Sequence, residues 1–183
     1  MEENKVLFSN TSKLDKDSVA RFNKVIGKKI TGYAVVLIVA FCAVVGAMLM
    51  LVNLFLGITV VGVGVIVGAP LGAYLIKDNM KKESEKFLAG KKYLVHFEFC
   101  EENIRIKAEA SNENESKYSF SGEEILDYSM ITKIVVSDTD LYLQRQGRAN
   151  IIDQKGMTVG TAGELIEFLR AKGIKIEGLA KTK

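Results

Sequence analysis

The sequence predicts a membrane α-helical hairpin joined to a soluble α+β domain, an antiparallel β-sheet or open barrel closed by a C-terminal helix. Three observations carry this reading. Residues 30–76 are 47 consecutive positions without Asp, Glu, Lys, Arg or His. From Tyr93 onward the apolar residues recur with period two, the period of a half-buried strand. Near the end, Thr161 and Glu164 have the spacing of a capping box ahead of an apolar stripe, which marks a helix start.

The uncharged run sets the first element. As one helix its 47 residues would extend roughly 70 Å at about 1.5 Å per residue. A bilayer core is about 30 Å thick and takes about 20 apolar residues to cross. Two spans with a tight connection fit, near residues 31–52 and 57–76, joined around Asn53-Leu54-Phe55-Leu56. A buried helix pair would need cover on every side, which a chain of 183 residues cannot supply. A cleaved signal peptide is also a poor fit, because 29 residues rich in charge precede the run.

Within the second span, GVGVIVGAPLG looks like a phosphate loop. Gly62, Gly64 and Gly68 are spaced G-x-G-x-x-x-G, one residue wider than the dinucleotide fingerprint, and no Lys-Ser or Lys-Thr follows. Helical spacing gives the better account. Gly64, Gly68 and Gly72 recur every four residues and would line one face, where small residues let two helix backbones approach. The first span offers Cys42 with Gly46 and Ala43 with Ala47 as counterparts. An intramolecular seam is expected, with self-association into a homo-oligomer as the competing use of the same face. Pro70 removes one backbone donor from this helix, which membrane helices tolerate.

Basic residues flank both spans: Arg21, Lys24, Lys28 and Lys29 before, then Lys77, Lys81, Lys82, Lys86, Lys91 and Lys92 after. The connecting turn is uncharged, so both termini are expected on the cytoplasmic side. Residues 1–29 carry seven basic and four acidic side chains, and residues 77–183 carry 18 of each. The excess charge therefore lies at the membrane flanks, and no nucleic-acid-binding face is indicated. Cys42 and Cys100 sit in different regions, so neither a disulfide nor a zinc site is expected. The Asn10-Thr11-Ser12 and Asn114-Glu115-Ser116 glycosylation patterns would be inert on that side.

The soluble part begins after a polar helical stretch, residues 77–88, that stops at Gly90. Tyr93, Val95, Phe97 and Phe99 share one face, Glu101-Glu102-Asn103 turns, and Ile104, Ile106 and Ala108 alternate with Arg105, Lys107 and Glu109. After a polar loop at 111–117, further strands are expected at 118–120, 131–136, 141–144 and 150–152. The closing helix presents Ala162, Leu165, Ile166 and Leu169, with Gly173 beyond its end. Strands followed by one helix suggest a pleckstrin-homology-like order by analogy.

The segments Tyr128-Ser129-Met130-Ile131-Thr132-Lys133-Ile134, Leu141-Tyr142-Leu143 and Ile151-Ile152-Asp153-Gln154-Lys155-Gly156, with Gly160 and the final helix, resemble the C-terminal domain of the YcxB-like membrane proteins. The likeness covers about 90 residues, and Met157 stands where that pattern commonly has an aromatic residue. It implies an architecture: a short N-terminal segment (1–29), two transmembrane helices (30–76), a juxtamembrane basic helix (77–90) and a cytoplasmic domain (91–183). It implies no chemistry.

Nothing in the sequence assembles a catalytic constellation. His96 is the only histidine and reads as a surface or edge residue. Asp138-Thr139-Asp140 mimics a metal-binding pattern but suits a hairpin turn. The pairs Glu101-Glu102 and Glu123-Glu124 would point to opposite faces, and Cys100 has no activating partner. No intramembrane charge marks an ion path. The expected role is a non-enzymatic, multi-pass protein of a bacterial-type inner or plasma membrane, with no cofactor or metal. Its domain would bind an unidentified protein or lipid headgroups. The alternatives are an immunity protein against a bilayer-active toxin and a self-associating membrane oligomer.

Overall fold

The computed structural model describes residues 5–112 and 118–178. It divides into two units, one of residues 1–19 with 88–183 and one of residues 20–87. The second unit is a pair of long helices. The first is an α+β domain.

The helical unit is built from α1 (Lys16–Met50) and a second rod comprising α2 (Leu54–Val63), a π-helical turn (Gly64–Gly68) and α3 (Ala69–Leu88). Both rods are long and apolar enough to cross a membrane. The connection is Leu51-Val52-Asn53, tighter and earlier than the turn expected at 53–56. Asn53 explains the difference: its side chain accepts from the Leu56 N–H and so starts α2. Pro70 explains the π turn. A proline ring crowds the carbonyl four residues back and donates no hydrogen bond, and one widened turn accommodates it.

The α+β unit contains two sheets. One has the order β4-β3-β2-β1-β8 and the other β7-β6-β5-β9. Its strands are β1 (Val6–Leu14), β2 (Lys91–Cys100), β3 (Asn103–Asn112), β4 (Ser119–Asp127), β5 (Ile131–Val136), β6 (Asp140–Arg145), β7 (Arg148–Asp153), β8 (Met157–Val159) and β9 (Lys175–Glu177). All neighbours are antiparallel except β5 and β9. The Tyr93–Ala108 pattern holds: Val95 faces Ala108, Phe97 faces Ile106 and Phe99 faces Ile104. Those rings and branched chains form one core with Leu126, Ile134, Val136, Leu141, Leu143 and Ile152. The helix α4 (Ala162–Ala171) adds Leu165 and Leu169 to it, and its Thr161–Glu164 capping box is complete.

The chain passes between the sheets twice by the same device. Asp127 and Asp153 each end a strand and accept a hydrogen bond from the backbone two residues on, starting a single 3-10 turn. Each turn leads directly into a strand of the other sheet, β5 at Ile131 or β8 at Met157.

The N-terminal stretch corrects the sequence reading. It is not a separate segment: β1 lies inside the larger sheet, between β2 and β8, so residues 91–183 do not make the whole domain. The helix after it begins at Lys16, well before the uncharged run. β4 is likewise longer than the 118–120 expected, and residues 111–112 belong to β3. The Asn114 glycosylation pattern lies outside the described residues.

Candidate functional site

The structure brings one group of expected site residues together, in the helix pair. A Cβ built on Gly64 would overlap the Cys42 sulfur and lie 2.6 Å from Cys42 Cβ, and one on Gly72 would lie 2.5 Å from Ile38 Cδ1. Gly46 has no room either, since its Cβ would run into Val61 and lie 3.0 Å from the Gly57 carbonyl oxygen. These residues have no side chain because the rods touch there. Toward the open end the same face continues with Gly27 against Met80, and Asn23 Nδ2 donates to Ser84 Oγ at 2.8 Å.

Three expectations at this seam need correction. Gly68 is looser than its spacing suggested, with 3.7 Å to the nearest Ile38 carbon, an ordinary contact. Ala43 and Ala47 are exposed, one step around the helix from buried Gly46 and half-buried Cys42. Gly57, which the spacing did not single out, is at the closest approach: its Cβ would sit 2.6 Å from the Gly46 carbonyl oxygen. Helix phase accounts for the pattern, with the π turn setting its second half. At about 100° per residue, seven residues return a side chain to within about 20° of its starting face. Gly57 to Gly64 is such a step, and the extra residue held in the π turn makes Gly64 to Gly72 another. A four-residue rule follows an unbroken α-helix and misses this line.

The α+β unit carries a second polar arrangement that the sequence hid. Asn10 and Ser12 point inward from β1 and are essentially fully buried. The Ser12 hydroxyl donates to Asn10 Oδ1 (2.5 Å), Asn10 Nδ2 donates to the Asp153 carbonyl (2.7 Å), and the Asp153 N–H donates to Ser12 Oγ (2.8 Å). This closed ring ties β1 to the corner after β7. Gly156 completes it, since any Cβ there would strike the Thr11 carbonyl oxygen. In the sequence Ser12 stands out only as part of the Asn10-Thr11-Ser12 glycosylation pattern. A polar residue on a strand's inward face signals such a clip only once the strand itself is recognised.

The remaining candidates are structural in their geometry. His96 Nδ1 lies 3.0 Å from Thr11 Oγ1, on an interior strand rather than at an edge. Asp140 is fully buried in a hairpin turn, receives the Thr139 hydroxyl (2.6 Å) and sits 3.4 Å from the Tyr142 hydroxyl. Glu123 and Glu124 do diverge: Glu123 lies 4.0 Å from Lys107, while Glu124 receives both Arg145 nitrogens, at 2.5 and 2.7 Å. The Arg145 hydrogen bond holds the Glu124 carboxyl below its ordinary range. Burial raises the Cys100 thiol, which disfavours the reactive thiolate. Burial also raises the Tyr128 phenol, which donates to the Cys100 carbonyl at 2.7 Å. Among the described residues no three His, Cys, Asp or Glu side chains group as a metal site.

Along α3 the lysines have local carboxylates: Lys82 with Asp78 at 2.6 Å, Lys86 with Glu83 at 3.0 Å and Lys81 with Glu85 at 4.0 Å. The Asp78 hydrogen bond raises Lys82 above its ordinary range. No family model, curated protein or solved structure matches the chain.

Proposed function

We propose that the chain is a bilayer-anchored, non-enzymatic interaction protein. Its helical hairpin crosses the membrane twice, and its α+β domain binds a protein partner on the side where both termini lie. The observation that carries this reading is the surface of the hairpin. In the most apolar 18-residue windows of the two rods only 6% and 17% of residues are buried, whereas a soluble core helix is mostly buried. Leu37, Phe41, Phe55 and Ile66 stand in the open. Exposed apolar area on that scale is stable in hydrocarbon and not in water.

Topology supports placing both termini together. β1 precedes the hairpin, β2 follows it, and the two strands pair, so both lie on one side of any membrane the hairpin crosses. The basic flanks are the reason for reading that side as the cytoplasm. A protein partner is favoured over lipid headgroups because residues 77–88 hold four basic and three acidic side chains. That is far from a polybasic cluster. The two-sheet domain with its closing helix is the reason for proposing a pleckstrin-homology-like, YcxB-like architecture.

Carbonate washing of native membranes tests the anchor. The chain is expected to stay in the pellet and to need detergent for release. Recovery as a detergent-free monomer contradicts the reading. Crosslinking in the native membrane followed by mass spectrometry then identifies the partner.

A further inference from the structure

We propose that the outer edge of β4 is a docking strand, to which a protein partner adds an extended segment carrying a Lys or Arg between two apolar residues. This rests on the protein-partner reading above and names the surface and the kind of segment it takes.

β4 ends the larger sheet, so one row of its backbone N–H and C=O groups has no strand beside it among the described residues. The strand is nine residues long and holds neither Lys nor Pro, the residues that commonly block such an edge. The other sheet ends are shorter templates: β8 and β9 have three residues each and β7 has six.

The side chains of β4 say what an added strand must bring. Leu126, Glu124 and Gly122 pair with Ile104, Ile106 and Ala108, on the core side of the sheet. Ile125, Glu123 and Phe120 pair with Arg105, Lys107 and Glu109, on the outer side. Ser121 is an extra residue in the strand, and this bulge puts Phe120 in the same row as Glu123 and Ile125. Phe120 is 69% exposed and Ile125 65% exposed, so an open apolar residue stands on either side of Glu123. Lys107 lies 4.0 Å from Glu123 but 3.9 Å from Glu98, so one ammonium serves two carboxylates. Glu124 is turned inward to Arg145 and does not compete.

The outer row therefore reads apolar, acidic, apolar. Its complement reads apolar, basic, apolar. Apolar pairs and opposite charges across two strands favour their pairing, and main-chain hydrogen bonds along the edge supply the rest.

The same row rejects a second copy of the chain. Two β4 strands laid antiparallel match Phe120 with Ile125 at both ends in one register. With Ser121 as the extra residue on each strand, that register sets Glu123 directly against Glu123. Like charges in that position destabilise a strand pair. The edge thus discriminates against itself by charge.

The test uses the full chain in phosphatidylcholine nanodiscs and two capped heptapeptides, Thr-Val-Thr-Lys-Thr-Val-Thr and its central-Glu counterpart, each at up to 1 mM and low salt. The Lys peptide is expected to slow hydrogen exchange in residues 119–127 about tenfold, leaving residues 148–153 unchanged. It is expected to bind about fivefold tighter than the Glu peptide, and Glu123→Lys should reverse that order. Protection away from β4, no protection at all, or equal binding of the two peptides overturns the docking strand. A photoreactive benzophenone side chain is then placed at Ile125, and separately at the exposed Thr132 and Glu167, in native membranes. A protein adduct from the Ile125 position that Glu123→Lys abolishes supports the proposal. Adducts from the other two positions alone overturn the docking strand, and adducts from none of the three overturn the protein-partner reading with it.

Discussion

Leu14 and Tyr93 face each other across the antiparallel β1–β2 ladder, although the whole helical hairpin lies between them in sequence. The hairpin is thus an elaborated β-hairpin loop, and the domain is completed from both sides of it.

That topology makes a first prediction about which piece folds. A chain of residues 5–178 with 15–92 replaced by Asn-Gly, a natural two-residue hairpin turn, keeps β1 beside β2. It is expected to be soluble and to unfold cooperatively in urea. Residues 91–183 alone lack an interior strand and leave one long edge of β2 unpaired, so aggregation is expected. A well-folded 91–183 monomer would show that β1 is dispensable.

The helix seam gives a second. Gly64→Leu and Gly72→Leu insert side chains where Cys42 and Ile38 already fill the space. A loss of about 1–3 kcal/mol is expected, as for overpacking elsewhere. Gly68→Ala has an ordinary contact available and is expected to be near neutral. The unfolding free energies, measured in detergent micelles, provide the comparison.

The polar ring of β1 gives a third. Ser12→Ala leaves the buried Asp153 N–H without its acceptor and frees Asn10 Oδ1. An unpartnered buried group costs about 1–3 kcal/mol, so the urea midpoint should fall by a corresponding amount. Ser9→Ala on the same strand, facing outward and not in the ring, serves as the control and should change little.

Acid sensitivity is the fourth. Glu124 is held below its ordinary carboxylate range first by the Arg145 hydrogen bond. A lowered folded-state value means the pair stabilises the protein above the usual carboxylate range, and that this share disappears as pH falls through it. Glu124 is nearly half exposed, with 44% of its side chain accessible, so the effect is screened and modest. Glu124→Gln should flatten the loss of stability between about pH 5 and pH 3. An unchanged slope would place the acid-sensitive group elsewhere.

Sequence patterning revealed what periodicity and solvent dictate. The uncharged run predicts two long helices, and β2, β3, β5 and α4 announce themselves by period two or by a capping box. What stayed hidden depends on distant partners. β1 reads VLFSNTSKL, and its buried Asn10 and Ser12 look like loop residues until the Asp153 corner supplies their hydrogen bonds. β4 is an edge strand with one buried apolar residue, Leu126, so it shows little alternation. At the seam, Gly64 and Gly72 were legible, but Gly57 is reached by a seven-residue step rather than a four-residue one, and the looseness of Gly68 follows from the π turn at Pro70. A straight-helix rule cannot contain that turn.

The most direct measurement of the central claim is cysteine accessibility in intact cells, in a Cys42→Ala, Cys100→Ala background. Asn53→Cys lies at the hairpin tip and Glu102→Cys in the turn between β2 and β3. A membrane-impermeant maleimide is expected to label the first from outside, and the second only after permeabilisation. Labelling of both from outside, or of neither until the membrane is opened, would contradict a hairpin that crosses the bilayer and returns.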